Sequence, residues 1–349
     1  MNLKQNVPLA PYTTFGVGGP ARYFMEAATE RDIRDAIDIV QTRQLPLFVL
    51  GGGSNLVISD AGFSGLVMKI AVCGIDESAA QGKRLFQAGA GEDWDTFVAH
   101  TIAENCAGLE CLSGIPGTVG ATPVQNVGAY GQEVADTMTA VHALDLTNGL
   151  IRELTPEQCG FAYRTSIFNS VERNRFIILS VRFALEPNGA PSIKYRDLQN
   201  HFAGRPTPSL AKVRNAVREI RHSKAMLIVE GDEDCRSAGS FFKNPIVTAA
   251  KFSDLEAIAI SRDVKLPSFP AGEGHVKIPA AWLVEQSGFH KGFSRGPVGI
   301  SRRHSLAIVN RGGAKAADIL ALKSDIQRAV FDQFGIELTA EPVLVGFDE

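Results

Sequence analysis

Several absences narrow this sequence before anything present in it is weighed. It has no excess of charge of either sign: Lys+Arg 35 against Asp+Glu 38 leaves a net charge of −3. No broad positive field is available to a phosphate backbone, so nucleic acid is not expected as the main partner. It has no cysteine framework. Cys73, Cys106, Cys111, Cys159 and Cys235 form no C-x-x-C pair, which fits reduced, mostly buried thiols rather than disulfides or zinc ligands. Neither cysteine nor histidine spacing matches a structural metal site, and no metal is expected. The first ten residues include Asn2, Lys4, Gln5 and Asn6 instead of the apolar core of a secretory signal, so a cytoplasmic protein is expected. A long hydrophobic run is missing too. The uncharged stretch 111–132 is interrupted by Pro116, Pro123 and a series of glycines and holds Gln125 and Asn126, so it reads as loop-rich backbone and no membrane span is expected. Finally, neither G-x-G-x-x-G nor the P-loop pattern occurs, which sets aside the Rossmann and P-loop nucleotide sites.

What remains is an ordinary globular composition, 45% hydrophobic and 21% charged over 349 residues, long enough for two to three domains. Ala21 to Glu26 reads as a strand, followed by a helix with Ile33, Ala36, Ile37 and Val40 on one face. Leu45 to Leu50 and Leu56 to Ser59 read as strands on either side of Gly51-Gly52-Gly53-Ser54-Asn55. Residues 85–104 give a strand and then a helix carrying Trp94, Phe97, Val98 and Ile102. Val141 to Leu146 and Phe176 to Leu185 extend the sheet. After turn-rich connections at Pro187 to Pro191 and Gly204 to Pro208, Thr207-Pro208 reads as the cap of a helix with Leu210, Val213, Val217 and Ile220 on one side. Beyond Lys224 a separate unit begins. It has helical patterns near Ala250 to Ile260 and Ala280 to Gln286, a strand at Leu306 to Val309, and a long helix from Lys315 to Phe334. Strands at Ile336 to Leu338 and Val343 to Val345 close it. Arg218, Arg221 and His222 read as one solvated helix face, and Asp232-Glu233-Asp234 as an exposed loop.

Two segments invite chemistry. Gly51 to Asn55 leaves backbone N–H groups uncovered, either as a plain turn between strands or as a cradle for an anion such as a pyrophosphate. Ser113 to Ala121 with Gln125 to Gly131 forms a second small-residue, charge-free region able to approach a large planar ligand through main chain and amide groups.

Leu50 to Asn55, Gly114 to Gly120, Gln125 to Gly131, Tyr163-Arg164-Thr165-Ser166, Gly239-Ser240-Phe241-Phe242-Lys243-Asn244-Pro245 and Ala340-Glu341-Pro342 together resemble the UDP-N-acetylenolpyruvoylglucosamine reductase family. They occur in the family's order, and the resemblance runs from about Tyr12 to Gly346. It implies a mixed α+β / α/β fold of three domains, two of them forming a vanillyl-alcohol-oxidase-like FAD-binding fold. The expected bounds are 1–70 for the first FAD-binding part, with 342–349 returning to it, 71–224 for the second, and 225–341 for a substrate domain that closes as a lid. The resemblance further implies an FAD enzyme that uses NADPH to reduce UDP-N-acetylglucosamine enolpyruvate to UDP-N-acetylmuramate in bacterial peptidoglycan precursor synthesis, working as a monomer.

By the same resemblance the cofactor residues are Gly51, Gly52, Gly53, Ser54, Asn55, Ser113, Gly114, Gly117, Thr118, Gly120, Ala121, Gln125, Asn126, Gly128 and Ala129. FAD is expected to bind non-covalently, since no Cys or His lies beside these loops to form a flavin link. Ser240 matches the proton donor, Arg164 the partner of the substrate carboxylate, and Glu341 the acid that works with it on the enolate. The family usually continues Glu-Pro-Glu-Val, where this chain reads Glu341-Pro342-Val343-Leu344. Tyr195 resembles the lid tyrosine of one subtype and Lys224 a phosphate or catalytic-water lysine, while Asn244, Lys277 and Gln286 match nucleotide-sugar contacts. Two rival readings are another FAD oxidoreductase of the same fold, which needs the loops but not Ser240 with Glu341, and a nucleotide-sugar-binding protein without redox chemistry.

Overall fold

The structure, a computed structural model, describes residues 2–347. They divide into two compact units. The first comprises residues 2–7, Ala21–Gly53 and Phe63–Ile228; the second comprises Pro8–Pro20, Ser54–Gly62 and residues 229–347.

The first unit holds a small sheet in the strand order Lys4–Pro8, Pro20–Ala27, Phe63–Ile70, Leu47–Leu50. The last three run parallel, and Leu66, Val67 and Met68 are buried in succession, as expected of a strand covered on both faces. The helix Glu30–Arg43 buries Ile33 and Ala36. Thr29 and Asp32 start it with reciprocal side-chain-to-backbone hydrogen bonds of 3.1 and 3.0 Å, which occupy donors that a helix start leaves unpaired. A second, antiparallel sheet runs Leu150–Leu154, Met138–Asp145, Phe176–Pro187, Lys83–Gly89, Ile75–Ala80, with Cys106–Ala107 pairing the far end of Phe176–Pro187. Trp94, Phe97 and Phe183 stack between this sheet and the helix Trp94–Ala103, with ring centroids 5.3–5.9 Å apart.

In the second unit, Ile246–Thr248, His275–Lys277 and Phe269–Pro270 form one antiparallel sheet, and Ser294–Arg295, Val298–Ile300 and Ile308–Asn310 form another. Val343–Val345 pairs parallel with Leu56–Ile58. Ile319, Leu322, Ile326 and Val330 of the helix Ala316–Phe334 lie in one core with Phe15, Phe241, Phe242 and Trp282. The Asp60 carboxylate caps that helix from a distance, accepting from the N–H groups of Ala316 and Ala317 at 2.8 and 3.0 Å.

The structure corrects the expected elements in three places. The helix at 210 starts two residues late: Ser209, not Thr207 ahead of Pro208, caps it, its hydroxyl accepting from Lys212 N–H at 3.3 Å. Ile336 to Leu338 is no strand; Ile336 and Leu338 are buried, but the Leu338 carbonyl accepts from Gln327 Nε2 at 2.7 Å instead of a ladder partner. Leu306 to Val309 begins its pairing only at Ile308. Among the described residues no helix is long and apolar enough to cross a membrane.

Candidate functional site

The two glycine-rich segments meet within the first unit. A Cβ on Gly52 would lie 2.5 Å from Gly117 Cα, and one on Gly51 would lie 3.0 Å from Thr118 Oγ1. Backbone therefore faces backbone where side chains would hold the segments apart. The second segment is anchored to the start of the helix Trp94–Ala103: Trp94 N–H donates to Gly117 O at 3.1 Å and Val119 N–H to Glu92 O at 2.9 Å. Gly120 N–H donates to Ala90 O at 2.9 Å, a contact that excludes any side chain because a Cβ there would sit 2.5 Å from Ala90 Cβ. Ala121 N–H closes the turn on Thr118 O at 3.0 Å. The Thr118 hydroxyl is buried and finds no hydrogen-bond partner among the described residues. A buried hydroxyl of that kind is normally satisfied, so it marks a place for a polar ligand atom.

Not every expected contact residue points outward. Ser113 is fully buried and donates back to Glu110 O at 2.7 Å. Asn126 is also consumed internally, its amide donating to Glu133 Oε2 at 2.7 Å and to Ala162 O at 3.4 Å while its oxygen accepts from Ala135 N–H at 3.3 Å. Gly128 and Ala129 form a short ribbon with Gln132 and Glu133. Its turn residues Tyr130 and Gly131 both have positive φ, 50° and 83°, as a two-residue hairpin with matching twist requires. Arg164 occupies another tight turn, closed by paired backbone hydrogen bonds between Ala162 and Thr165 at 3.0 and 3.1 Å. Its φ is +55°, an uncommon conformation for a side chain with a Cβ, and Asn169 Nδ2 braces it by donating to the Arg164 carbonyl at 3.2 Å.

The basic face of the helix Leu210–Ser223 needs correction at Arg221: His222 is exposed and Arg218 half-buried, but Arg221 is not solvated. Arg221 is buried and donates to Gly114 O at 3.0 Å and to Met226 O at 2.6 Å. Arg214 forms a two-point pair with Asp95, and Arg218 pairs with the same carboxylate. Asp95 in turn accepts from Gly114 N–H at 2.6 Å. Both polar groups of Gly114 are thus held, one by a carboxylate and the other by a buried guanidinium. Burial alone would raise the Asp95 carboxyl, but the hydrogen bonds from Arg214 and Gly114 and the charges of Arg214 and Arg218 carry it below its ordinary range.

Tyr195 and Lys224 come together with two residues not singled out from sequence for this role. The Lys224 ammonium pairs with Asp197 at 2.6 Å and lies 5.9 Å from the centre of the Tyr130 ring. Tyr130 meets Tyr195 edge to face at 5.4 Å. Partial burial would lower the Lys224 ammonium, yet the hydrogen bond from it to Asp197 leaves it above the usual lysine range, and burial raises the Tyr130 phenol.

In the second unit Ser240 and Glu341 sit on adjacent backbone segments. Glu341 N–H donates to Phe241 O at 2.9 Å, Phe242 bridges Ala340, and Lys243 N–H donates to Thr339 O at 2.9 Å. Asn55 fastens the acid's backbone: its side-chain amide donates to Glu341 O at 3.2 Å, and its own carbonyl accepts from Val343 N–H at 2.9 Å. Thr14 donates to Ser237 O at 2.6 Å, just ahead of Ser240. Asn244 Oδ1 accepts from Ala280 N–H at 2.9 Å, at the start of the helix Ala280–Gln286 that ends in Gln286. Lys277 pairs with Ile246 two residues beyond Asn244. Asp232-Glu233-Asp234 is not wholly an exposed loop, since Asp234 is buried and accepts from Ser301 Oγ at 3.2 Å and Arg302 N–H at 3.0 Å.

Sequence reasoning missed Asp95, Glu110 and Thr14, and misread Arg221. The positions 214, 218 and 221 recur at i, i+4 and i+7 beside the apolar stripe, a pattern that could have marked a partly buried basic face. Thr14 and Glu110 carried no such signal, because the partners that tie them to other segments, Ser237 for the one and Gln132 and Ser192 for the other, lie far along the chain.

Residues 21–155 match an FAD binding domain, and residues 231–345 match the UDP-N-acetylenolpyruvoylglucosamine reductase C-terminal domain. UDP-N-acetylenolpyruvoylglucosamine reductase of Thermobifida fusca is 44% identical, covering 98% of this chain and 98% of its own. The Streptomyces avermitilis protein of the same name is 42% identical, covering 98% and 95%. The crystal structure of UDP-N-acetylenolpyruvylglucosamine reductase from Thermus caldophilus superposes with a TM-score of 0.67 at 26% identity, over 99% of both chains.

Proposed function

Since the chain belongs to the UDP-N-acetylenolpyruvoylglucosamine reductase family, a family of FAD-dependent oxidoreductases in peptidoglycan precursor synthesis, we propose that it reduces UDP-N-acetylglucosamine enolpyruvate to UDP-N-acetylmuramate with NADPH as the reductant. The observation that carries this reading is the pairing of the Ser240 segment with the Glu341 segment, which another FAD oxidoreductase would not need.

The glycine-rich segments suit FAD. Gly51, Gly52, Gly53, Gly114, Gly117, Gly120 and Ala121 present main chain without bulk, and the unpartnered Thr118 hydroxyl offers a polar contact. Ser54, Asn55, Gln125, Gly128 and Ala129 complete the proposed set, while Ser113 and Asn126 serve it by shaping the loops. FAD held by these residues would supply hydride transfer from NADPH to the methylene carbon of the enol ether.

The chain's own residues manage what that delivery leaves behind. Negative charge develops on the carbon bearing the carboxylate and spreads into the carboxylate itself. Arg164 presents a planar fork to those oxygens, and Glu341, when protonated, donates a hydrogen bond to the same developing charge. Ser240 gives its hydroxyl proton to the carbon, completing the addition of hydride and proton across the double bond, and recovers a proton afterwards. Tyr195 and Lys224 face the diphosphate, with Tyr130 and Asp197 setting their positions. Asn244, Lys277 and Gln286 hold the nucleotide sugar. In this reading the working parts are 1–70 with 342–349, 71–224, and 225–341, the last bringing the proton donor over the substrate in a monomeric, cytoplasmic enzyme.

An absorption spectrum tests the reading. Purified protein is expected to be yellow, to bleach with NADPH, and to regain colour when the enolpyruvyl substrate is added. Protein that stays colourless after FAD addition would favour a nucleotide-sugar binder. Bleaching that this substrate does not reverse would favour a different FAD oxidoreductase.

A further inference from the structure

Glu110 is a carboxylate with 1% of its surface exposed, and the proposed chemistry gives it no role. Its partners are all neutral N–H donors from separate parts of the first unit. Gly108 N–H donates to Oε2 at 2.8 Å; Gln132 Nε2 and Ser192 N–H donate to Oε1 at 3.0 and 2.8 Å. Gly108 is a near neighbour in sequence, whereas Gln132 and Ser192 adjoin two different segments of the candidate site. Gln132 ends the Gln125 to Gly131 segment, and its side-chain oxygen also accepts from Cys111 N–H at 2.8 Å, just ahead of Ser113. Ser192 starts the strap that leads through Ile193 and Lys194 to Tyr195, and its carbonyl accepts from Cys111 Sγ at 3.3 Å. Glu110 itself begins the turn whose carbonyl holds Ser113.

One buried carboxylate therefore touches both flanks of the second glycine-rich segment and the root of the tyrosine strap. Carboxylate hydrogen bonds are stronger than neutral ones and are costly to leave unmade in a buried place. Ordering of one arm is thereby felt by the others. Beside the root of the strap, Gly108, Glu110, Gln132, Thr137 and Ser192 line an open cavity of about 230 Å³, and the Thr137 and Ser192 hydroxyls beside it have no partners among the described residues.

We infer that Glu110 is a positioning residue that couples occupation of the cofactor loops to the setting of the Tyr195 strap. Binding of FAD along residues 113–131 fixes Ser113 and Gln132, and through the Glu110 carboxylate fixes Ser192 and the backbone that carries Tyr195. The inference rests on the cofactor reading of those loops.

Hydrogen exchange of the full chain, stripped of FAD and then reloaded, tests it. In the parent protein FAD is expected to slow exchange in both 113–131 and 190–197, the latter by about tenfold, within the range of ordinary coupling between sites. In Glu110→Gln an amide group replaces an acceptor oxygen against the donors. FAD is then expected to protect 113–131 still, and to change 190–197 less than twofold. Ser192→Pro removes a single N–H and leaves the carboxylate in place, so it decides the matter if Glu110→Gln does not fold; it is expected to uncouple the strap likewise. Full FAD-dependent protection of 190–197 in either folded variant, or none in the parent while 113–131 is protected, would overturn the inference. Absence of FAD protection from both segments of the parent would overturn the cofactor reading instead.

Discussion

At the scale of single residues, the site is made by what is left out. Gly52 lies so close to Gly117 that one methyl group cannot enter without moving backbone, since its nearest contact would be 2.5 Å. Gly52→Ala is expected to cost about 1 to 3 kcal/mol, the usual scale of overpacking, and to lower FAD content in step; a denaturant melt together with the flavin-to-protein absorbance ratio checks both. Cys111 shows the opposite strategy. It lies two residues from Ser113, nearer the loop than the sequence reading allowed for, but burial pushes its thiol up to about 12, and Cys159 likewise to about 12. Neither supplies a thiolate near neutral pH. A thiol reagent at pH 7.5 is therefore expected to modify Cys73, the exposed cysteine, and to reach the other four of the 5 cysteines only after unfolding, as counted by mass spectrometry. FAD released into solution by acid or heat would agree with a cofactor held without a covalent link.

At the scale of elements, the helix Leu210–Ser223 does more than cover the sheet. Through Asp95 and Arg221 it grips both polar groups of Gly114. The Asp95 carboxyl is held below its ordinary value in the folded protein, so the stability it contributes is present above the unfolded carboxylate range, about pH 4. That contribution is lost as pH falls through the folded value. FAD affinity is expected to be flat near neutrality and to weaken in acid, and Asp95→Asn is expected to weaken it at neutral pH and flatten the acid limb. Flavin fluorescence titrations across pH 3.5 to 8 would show this; an unchanged acid limb in Asp95→Asn would remove Asp95 from the account. The same helix shows how much could be read in advance. Its apolar stripe was legible because Leu210, Val213, Val217 and Ile220 recur with the helical period. The spacing of Arg214, Arg218 and Arg221 beside that stripe hints at a partly buried basic face, but the partner that holds Arg221, Gly114, lies in another part of the chain and was not legible. Local periodicity likewise gave the helix Ala316–Phe334 nearly to the residue and the apolar face of the helix Glu30–Arg43. It failed at Ile336 to Leu338, where an apolar run reads as a strand but Gln327 takes the carbonyl a ladder would use. The glycine-rich segments were visible as composition, whereas the anchoring of Glu341 by Asn55 became visible only with the fold.

At the scale of the whole molecule, the chain order conceals how the parts are built. Pro8–Pro20 and Ser54–Gly62 leave the N-terminal part of the sequence to join the second unit, where Asn55 and Thr14 brace the segments carrying Glu341 and Ser240. The first unit contains the proposed cofactor loops and Arg164, and the second contains Ser240, the proposed proton donor, so hydride supply and protonation should be separable by mutation. Ser240→Ala tests this central claim most directly. Its cofactor loops are intact, so FAD is expected to bind and NADPH to reduce it at close to the parent rate. Rapid mixing of the prereduced variant with UDP-N-acetylglucosamine enolpyruvate is expected to show flavin reoxidation slowed by about a hundredfold to ten-thousandfold, the scale of a lost general acid. Reoxidation at the parent rate, with reduction by NADPH impaired instead, would contradict the account.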